Sequence, residues 1–384
     1  MIFLIKKWPI ILLLPIVFFS GCVPEIPFTS EPTQAQNNSP VSAEYVVPEK
    51  QGNYFYNALS SAQERKLYDK LLAAIENSEE KYKYGDKFSS ETVSLILNLI
   101  FCQEPYTGLK CSKYTIDNGT VYFEYAYDKE KIEFLKNQSE KKERELVEQV
   151  SGLSDYEKVK FYHDYIIREC NYVEDSELGN TSYGVLIEKQ GLCEGYAHAF
   201  LELCSLSGIE CAIITGMADN EPHMWNIVEI NDIWYYIDLT WDDIDDESYP
   251  DLILYDYFLV GNSEIPKREI YYTKKYLPND KIQTNIDFYT QNECYITKHN
   301  KNDIFKILKN QYLKAAKEDS SFIYLKAEND EVFSYLLENL LDEYQIIDFQ
   351  NTLNLNIDTR NVKYITNVEA RTITFIIQYK TGEN

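Results

Sequence analysis

Cys193, His223 and Asp238 follow one another within one short stretch of the chain. Cys193 lies in Gln190-Gly191-Leu192-Cys193-Glu194-Gly195-Tyr196-Ala197, where a glycine-bearing turn leads into an apolar, helix-patterned run. His223 stands in the strand-patterned Pro222-His223-Met224-Trp225-Asn226, and Asp238 in a second such run, Trp234 to Trp241. A thiol, an imidazole and a carboxylate are the parts of a cysteine nucleophile, its base and the group that orients the base. Their chemistry is acyl transfer: a thiolate attacks an amide carbonyl and holds the acyl group as a thioester.

The neighbouring residues predict the elements that must position these groups. A helix starting at Cys193 would bury Ala197, Phe200, Leu201 and Cys204 and stop at Gly208. Unpaired amides at its first turn would favour thiolate over thiol and could hold a developing oxyanion. Asn231-Asp232 suits a two-residue hairpin turn between alternating runs. Setting Ile230 opposite Ile233 places Trp225 opposite Asp238 and His223 opposite Thr240, so His223 and Asp238 become diagonal neighbours on one face. A slip of one residue would separate them. Ile227 shares the His223 face, which is expected to turn toward the Cys193 helix.

Residues 182–242 resemble the transglutaminase-like superfamily, in the form found in bacterial surface lipoproteins. The likeness rests on Gly191-Leu192-Cys193-Glu194-Gly195-Tyr196-Ala197, His223-Met224-Trp225-Asn226 and Trp234-Tyr235-Tyr236-Ile237-Asp238-Leu239-Thr240-Trp241. It implies a papain-like core with Cys193 as nucleophile, His223 as base and Asp238 as orienter. His163-Asp164-Tyr165, Ser182-Tyr183-Gly184, the run Tyr255 to Val260 and the region Ser60 to Tyr68 are similar to the bacterial members. The resemblance also makes Tyr183 and Trp225 candidates for the cleft. Gln190 is a candidate oxyanion donor, like the glutamine upstream of the cysteine in papain-like enzymes; a plain turn residue accounts for it equally well.

Residues 1–21 read as a secretory signal, with Lys6 and Lys7 ahead of an apolar stretch from Ile10 to Phe19 too short to span a bilayer. Ser20-Gly21-Cys22 resembles a lipoprotein processing site, so Cys22 is the expected lipidation site. Residues 22–52 form the expected tether: 23–52 hold five of the chain's 12 prolines among polar residues. The protein is thus expected outside the cytoplasm, held to the cell membrane by lipid. Its formal net charge of −25 argues against nucleic acid and against electrostatic adhesion to anionic lipid.

With Cys22 and Cys193 set aside, Cys102, Cys111, Cys170, Cys204, Cys211 and Cys294 remain of the eight cysteines. Their spacing gives no zinc signature and leaves any pairing open. The acidic run Asp242, Asp243, Asp245, Asp246 and Glu247 lacks the spaced oxygens and glycine of a calcium loop. His163, His198 and His299 have no partners at metal spacing. No metal or cofactor is expected.

The expected fold class is α+β. An N-terminal α+β module with helices at its start covers 53–148, a papain-like, transglutaminase-like core 149–280 and a small α+β module 281–384. Helices are predicted near Ser60–Leu72, Ser89–Ile100, 155–170, Asn302–Ala316 and Glu331–Leu341, with strands at Val121–Tyr127, Ser321–Ala327, 361–366 and 370–379. The expected function is cleavage or cross-linking of peptide or glutamine amides in surface proteins or cell-wall peptides. The alternative is a binding or scaffolding module that keeps the fold without turnover.

Overall fold

The computed structural model describes residues 53–380 apart from 245–247, 263–264, 266–267, 272, 279–280, 283–285, 343–344 and 359–361. The expected signal, Cys22 and the expected tether lie outside the described residues.

The chain opens with α1 (Tyr54–Ala58) and α2 (Ala62–Glu76), the latter capped by the Ser61 side chain and burying Leu67, Leu71 and Ile75 on one stripe. β1 (Lys81–Lys83), α3 (Ser90–Phe101, capped by Ser89) and α4 (Thr107–Lys110) follow. Next come β2 (Lys113–Asp117) and β3 (Thr120–Glu124), joined at Asn118-Gly119, where both residues take positive φ. α5 (Lys129–Gln149) has no counterpart among the predicted elements, whereas α6 (Asp155–Glu169) starts at a full capping box between Ser154 and Glu157. Beyond lie β4 (Asn171–Tyr172), β5 (Gln190–Gly191), α7 (Cys193–Leu206), β6 (Cys211–Ala218) and β7 (Glu221–Ile230). β8 (Ile233–Ile237), α8 (Leu239–Asp242), β9 (Glu269–Ile270), α9 (Phe288–Gln291) and β10 (Tyr295–Ile296) follow. The chain closes with α10 (Lys301–Glu318), β11 (Phe322–Ala327), α11 (Asp330–Leu336), α12 (Gln345–Thr352), β12 (Lys363–Asn367) and β13 (Thr372–Ile376). Among the described residues no helix is long and apolar enough to cross a membrane.

These elements pack as two units. The first takes the described residues up to Asn231 together with 269–278; the second takes 232–268 and the described residues from 281 onward.

At the centre of the first unit is α7, every residue of which from Gly195 to Cys204 is buried. It is enclosed by α5 and α6 and by the sheet in which β7 and β9 flank β6 antiparallel. An enclosed helix needs apolar residues all round, and Tyr196, Ala197, Phe200, Leu201 and Leu203 supply them. Gly208, at φ 72°, ends it with a left-handed residue, as its position in the sequence predicts. A smaller sheet in the order β1-β3-β2 belongs to the N-terminal part.

The second unit contains a sheet in the order β10-β11-β13-β12, with α10 and α11 against β11. Lys326, buried on β11, is compensated by Asp287 at 2.8 Å. Asp256 accepts from the Tyr289 hydroxyl at 2.7 Å and from Asn367 at 2.8 Å, tying the segment after β8 to the C-terminal sheet. The strand predicted to run through Trp241 stops at Ile237. Asp238 then caps α8 by accepting from the Trp241 amide at 3.1 Å, a local bond that competes with continued pairing.

Candidate active site

Cys193 is the first residue of α7, and the N-cap residue, Leu192, offers no capping side chain. Amide hydrogens of the first turn are thus left to whatever binds there, and the dipole favours negative charge at the sulfur. Two glycines create this start. A Cβ on Gly195 would come within 2.1 Å of the Gly179 carbonyl oxygen, and one on Gly191 within 2.6 Å of the Tyr196 ring. The same Gly179 carbonyl accepts from the Leu192 amide at 2.7 Å. The Gly-x-Cys-x-Gly spacing is therefore a packing requirement of the turn ahead of Cys193.

None of the seven described cysteines is joined in a disulfide, and Cys193 alone among them is not buried. Burial pushes the thiols of Cys102 and Cys111 up to about 12, and that of Cys204 well above its ordinary value. Those sulfurs are inert packing groups at neutral pH.

His223 sits on β7 opposite Gly216 of β6, buried, with its ring stacked on Trp225 at 5.8 Å and 18°. Trp225 is itself buried and packs as a wall of the imidazole's surroundings. Among the β7 side chains, Asn226, one residue out of the His223, Trp225, Ile227 series, bonds to α7. Its Nδ2 donates to the Ala197 carbonyl at 3.0 Å, anchoring the strand to the first turns of α7. β7 ends at Asn231-Asp232, whose φ values of 54° and 63° are those of the two-residue turn expected there.

Asp238 belongs to the second unit. Its Oδ1 accepts from the Trp241 amide, and its Oδ2 from Arg268 Nη1 at 2.7 Å, with both side chains 1% exposed. Arg268, thirty residues downstream, carries no motif that would have revealed it.

Gln190 is exposed on β5, which pairs in parallel with β4. Tyr183 is half-buried against the cluster of Tyr106, Leu109, Leu135 and Leu178. A neighbour the motifs do not mark is Tyr172, on β4. Burial and the nearby Cys193 push its phenol pKa up, while the Cys193 backbone acts in the opposite sense.

Along α7, Glu194, His198 and Glu202 recur every four residues as a polar seam. A Cβ on Gly108 would lie 3.7 Å from His198 Nε2 and 3.8 Å from Glu194 Oε1, so both side chains turn inward against α4. Burial holds the Glu194 carboxyl up to about 7 and the His198 imidazole down to about 4. Glu202 accepts from the Tyr106 amide at 3.0 Å, and Glu143 from the Tyr106 hydroxyl. Burial lifts Glu143, and lifts Glu202 well above the carboxylate range with the help of the neighbouring Glu143 charge. A cavity of about 10 Å³ beside His198 and Glu202 has room for one water. Among the described residues no group of three or more His, Cys, Asp or Glu is placed to hold a metal ion. Of the acidic run after Trp241, Asp242 is engaged by the Tyr257 amide at 3.0 Å, and residues 245–247 lie outside the described residues.

Residues 144–239 match the model of the transglutaminase-like superfamily, and the chain carries a domain of that family there. Among solved structures, a Cytophaga hutchinsonii protein described as a candidate cysteine protease is 25% identical over 30% of this chain and 43% of its own, with a TM-score of 0.25. A second, described as a TGase, is 16% identical over 41% of this chain and 50% of its own, with a TM-score of 0.24. The chain thus spans half or less of each of these structures. No curated protein matches.

Proposed function

We propose that the transglutaminase-like domain is a cysteine acyl-transfer enzyme with Cys193 as nucleophile, His223 as base and Asp238 as orienter. The observation that carries the reading is the position of Cys193: a free, partly exposed thiol at the first residue of an uncapped helix, among described cysteines that are otherwise buried. His223 takes the thiol proton, and the thiolate attacks the amide carbonyl carbon. The tetrahedral oxyanion is met by first-turn amides of α7. As the C–N bond breaks, the imidazolium returns the proton to the leaving amine, and a thioester remains on Cys193. Water or an amine then attacks the thioester, His223 again moves the proton, and a carboxylic acid or a new amide leaves with the thiol restored. Substrates are peptide or glutamine amides of surface proteins or wall peptides, reached from a lipid anchor at Cys22.

The test is alkylation by iodoacetamide near neutral pH, read at each cysteine by mass spectrometry. Cys193 should react at least about tenfold faster than free cysteine, as expected of an accessible nucleophile at an uncapped helix start. The buried thiols should stay unmodified. A Cys193 no more reactive than free cysteine overturns the enzyme reading and leaves a binding module.

A further inference from the structure

We infer that Arg268 is a positioning residue for acyl transfer: it holds the Asp238 carboxylate and sets how strongly that carboxylate stabilises a protonated His223. The inference rests on the triad proposed above and adds a residue that no motif of the family match includes, because the match ends at residue 239.

The geometry is that of a clamp. Asp238 Oδ2 accepts from Arg268 Nη1 at 2.7 Å, while Oδ1 accepts from the Trp241 amide at 3.1 Å, so both carboxylate oxygens have fixed donors. Arg268 is fixed in turn: its guanidinium carbon lies 4.2 Å from the centre of the Trp241 ring and 5.2 Å from that of Tyr257. Tyr257 is held through its amide by Asp242 at 3.0 Å. Cation–π contact and stacking suit guanidinium better than ammonium, and its planar fork keeps direction as well as charge. Both partners are 1% exposed, where a charge acts with little screening by water.

The electrostatic consequence has a definite sign. An orienting carboxylate favours imidazolium, and a cation beside it cancels part of that effect. Arg268 therefore offsets part of the stabilisation that Asp238 gives an imidazolium at His223 in the proposed triad, and its removal should extend the thiolate–imidazolium pair to higher pH. A merely structural arginine would change stability and leave this titration in place.

The experiment uses the full chain, Arg268→Gln and Arg268→Lys, with the pH profile of Cys193 alkylation, ¹³C titration of the His223 ring and thermal unfolding measured on each. In Arg268→Gln the His223 titration and the alkaline limb of the alkylation profile should both rise, by about one pH unit, the scale of one nearby charge. Arg268→Lys, which retains charge without the fork, should give a smaller rise in the same direction. If Arg268→Gln does not fold, the Arg268→Lys titration decides. Profiles that superimpose on wild type, or shift downward, overturn the role of Arg268. A wild-type Cys193 without enhanced reactivity is a different outcome: it overturns the enzyme reading itself, and with it this inference.

Discussion

Gly195 meets the carbonyl oxygen of Gly179 so closely that a Cβ in its place would lie 2.1 Å from that oxygen. The obstacle is backbone, which cannot swing aside as a flexible side chain would. The contact fixes the turn ahead of α7 and hence the place of the Cys193 sulfur.

Gly195→Ala should therefore lower stability by about 1–3 kcal/mol, the usual cost of overpacking, and slow Cys193 alkylation in the molecules that remain folded. Thermal unfolding and site-resolved labelling measure the two effects. Normal alkylation with an unchanged Tm would show that the start of α7 tolerates the methyl group.

Asp238→Asn is expected to do more than remove the proposed orienting charge. It takes away the carboxylate that Arg268 meets at 2.7 Å, and breaking one half of a buried pair costs about 3–5 kcal/mol. Tm should fall, although the side chain's shape is conserved. Adding Arg268→Met should restore much of the lost stability while the proposed acyl transfer remains absent, because the buried guanidinium is gone but the proposed orienter is still missing. A double variant no more stable than Asp238→Asn would show that the pair contributes little to the fold.

The polar seam of α7 gives a pH signature with two opposing parts. Between its ordinary 4.5 and about 7, Glu194 keeps a proton in the folded chain that the unfolded chain gives up, so its contribution to stability falls as pH rises. Between about 4 and its ordinary 6.5, His198 is neutral in the folded chain and protonated in the unfolded one, so its contribution rises with pH. The two offset each other over the shared window. The Tm of Glu194→Gln relative to wild type should climb by several degrees, roughly 2–4 °C per kcal/mol, as pH goes from 4.5 to 7. That of His198→Gln should fall over pH 4 to 6.5. Flat difference curves would remove these groups from the pH response.

Cys22→Ala should abolish fatty-acid incorporation and leave the chain released or unprocessed. One acyl chain anchors weakly, so stable membrane attachment in the wild type implies more than one on this cysteine. Equal fatty-acid labelling of wild type and variant would dispose of the anchor.

Where the pattern is short-ranged, the chain announces its structure. Cys193 to Gly208 reads as a helix with its stop, Asn231-Asp232 as a turn, and 301–327 as a helix followed by a strand, and each forms within a residue or two of its expected bounds. α5 escaped because its apolar positions, Ile132, Leu135 and Leu146, are sparse in a mostly charged run, and part of its buried face is Ser139 and Glu143. The predicted strand through Trp241 was cut short because Asp238 reaches a local amide that the alternating pattern does not reveal.

Local pattern alone reveals the residue types of the candidate site, the helix that begins at Cys193 and the resemblance of 182–242 to the transglutaminase-like superfamily, whose family model is matched by residues 144–239. Each depends on neighbours a few positions apart, where helix period, glycine spacing and turn preference act directly on the backbone. That Arg268 clamps Asp238, that Asn226 bonds β7 to α7, and that Glu194 and His198 turn inward against Gly108 emerges only from the folded chain. Those pairings depend on how distant segments pack, and on burial that strengthens charges and hydrogen bonds once water is excluded, neither of which is a property of adjacent residues.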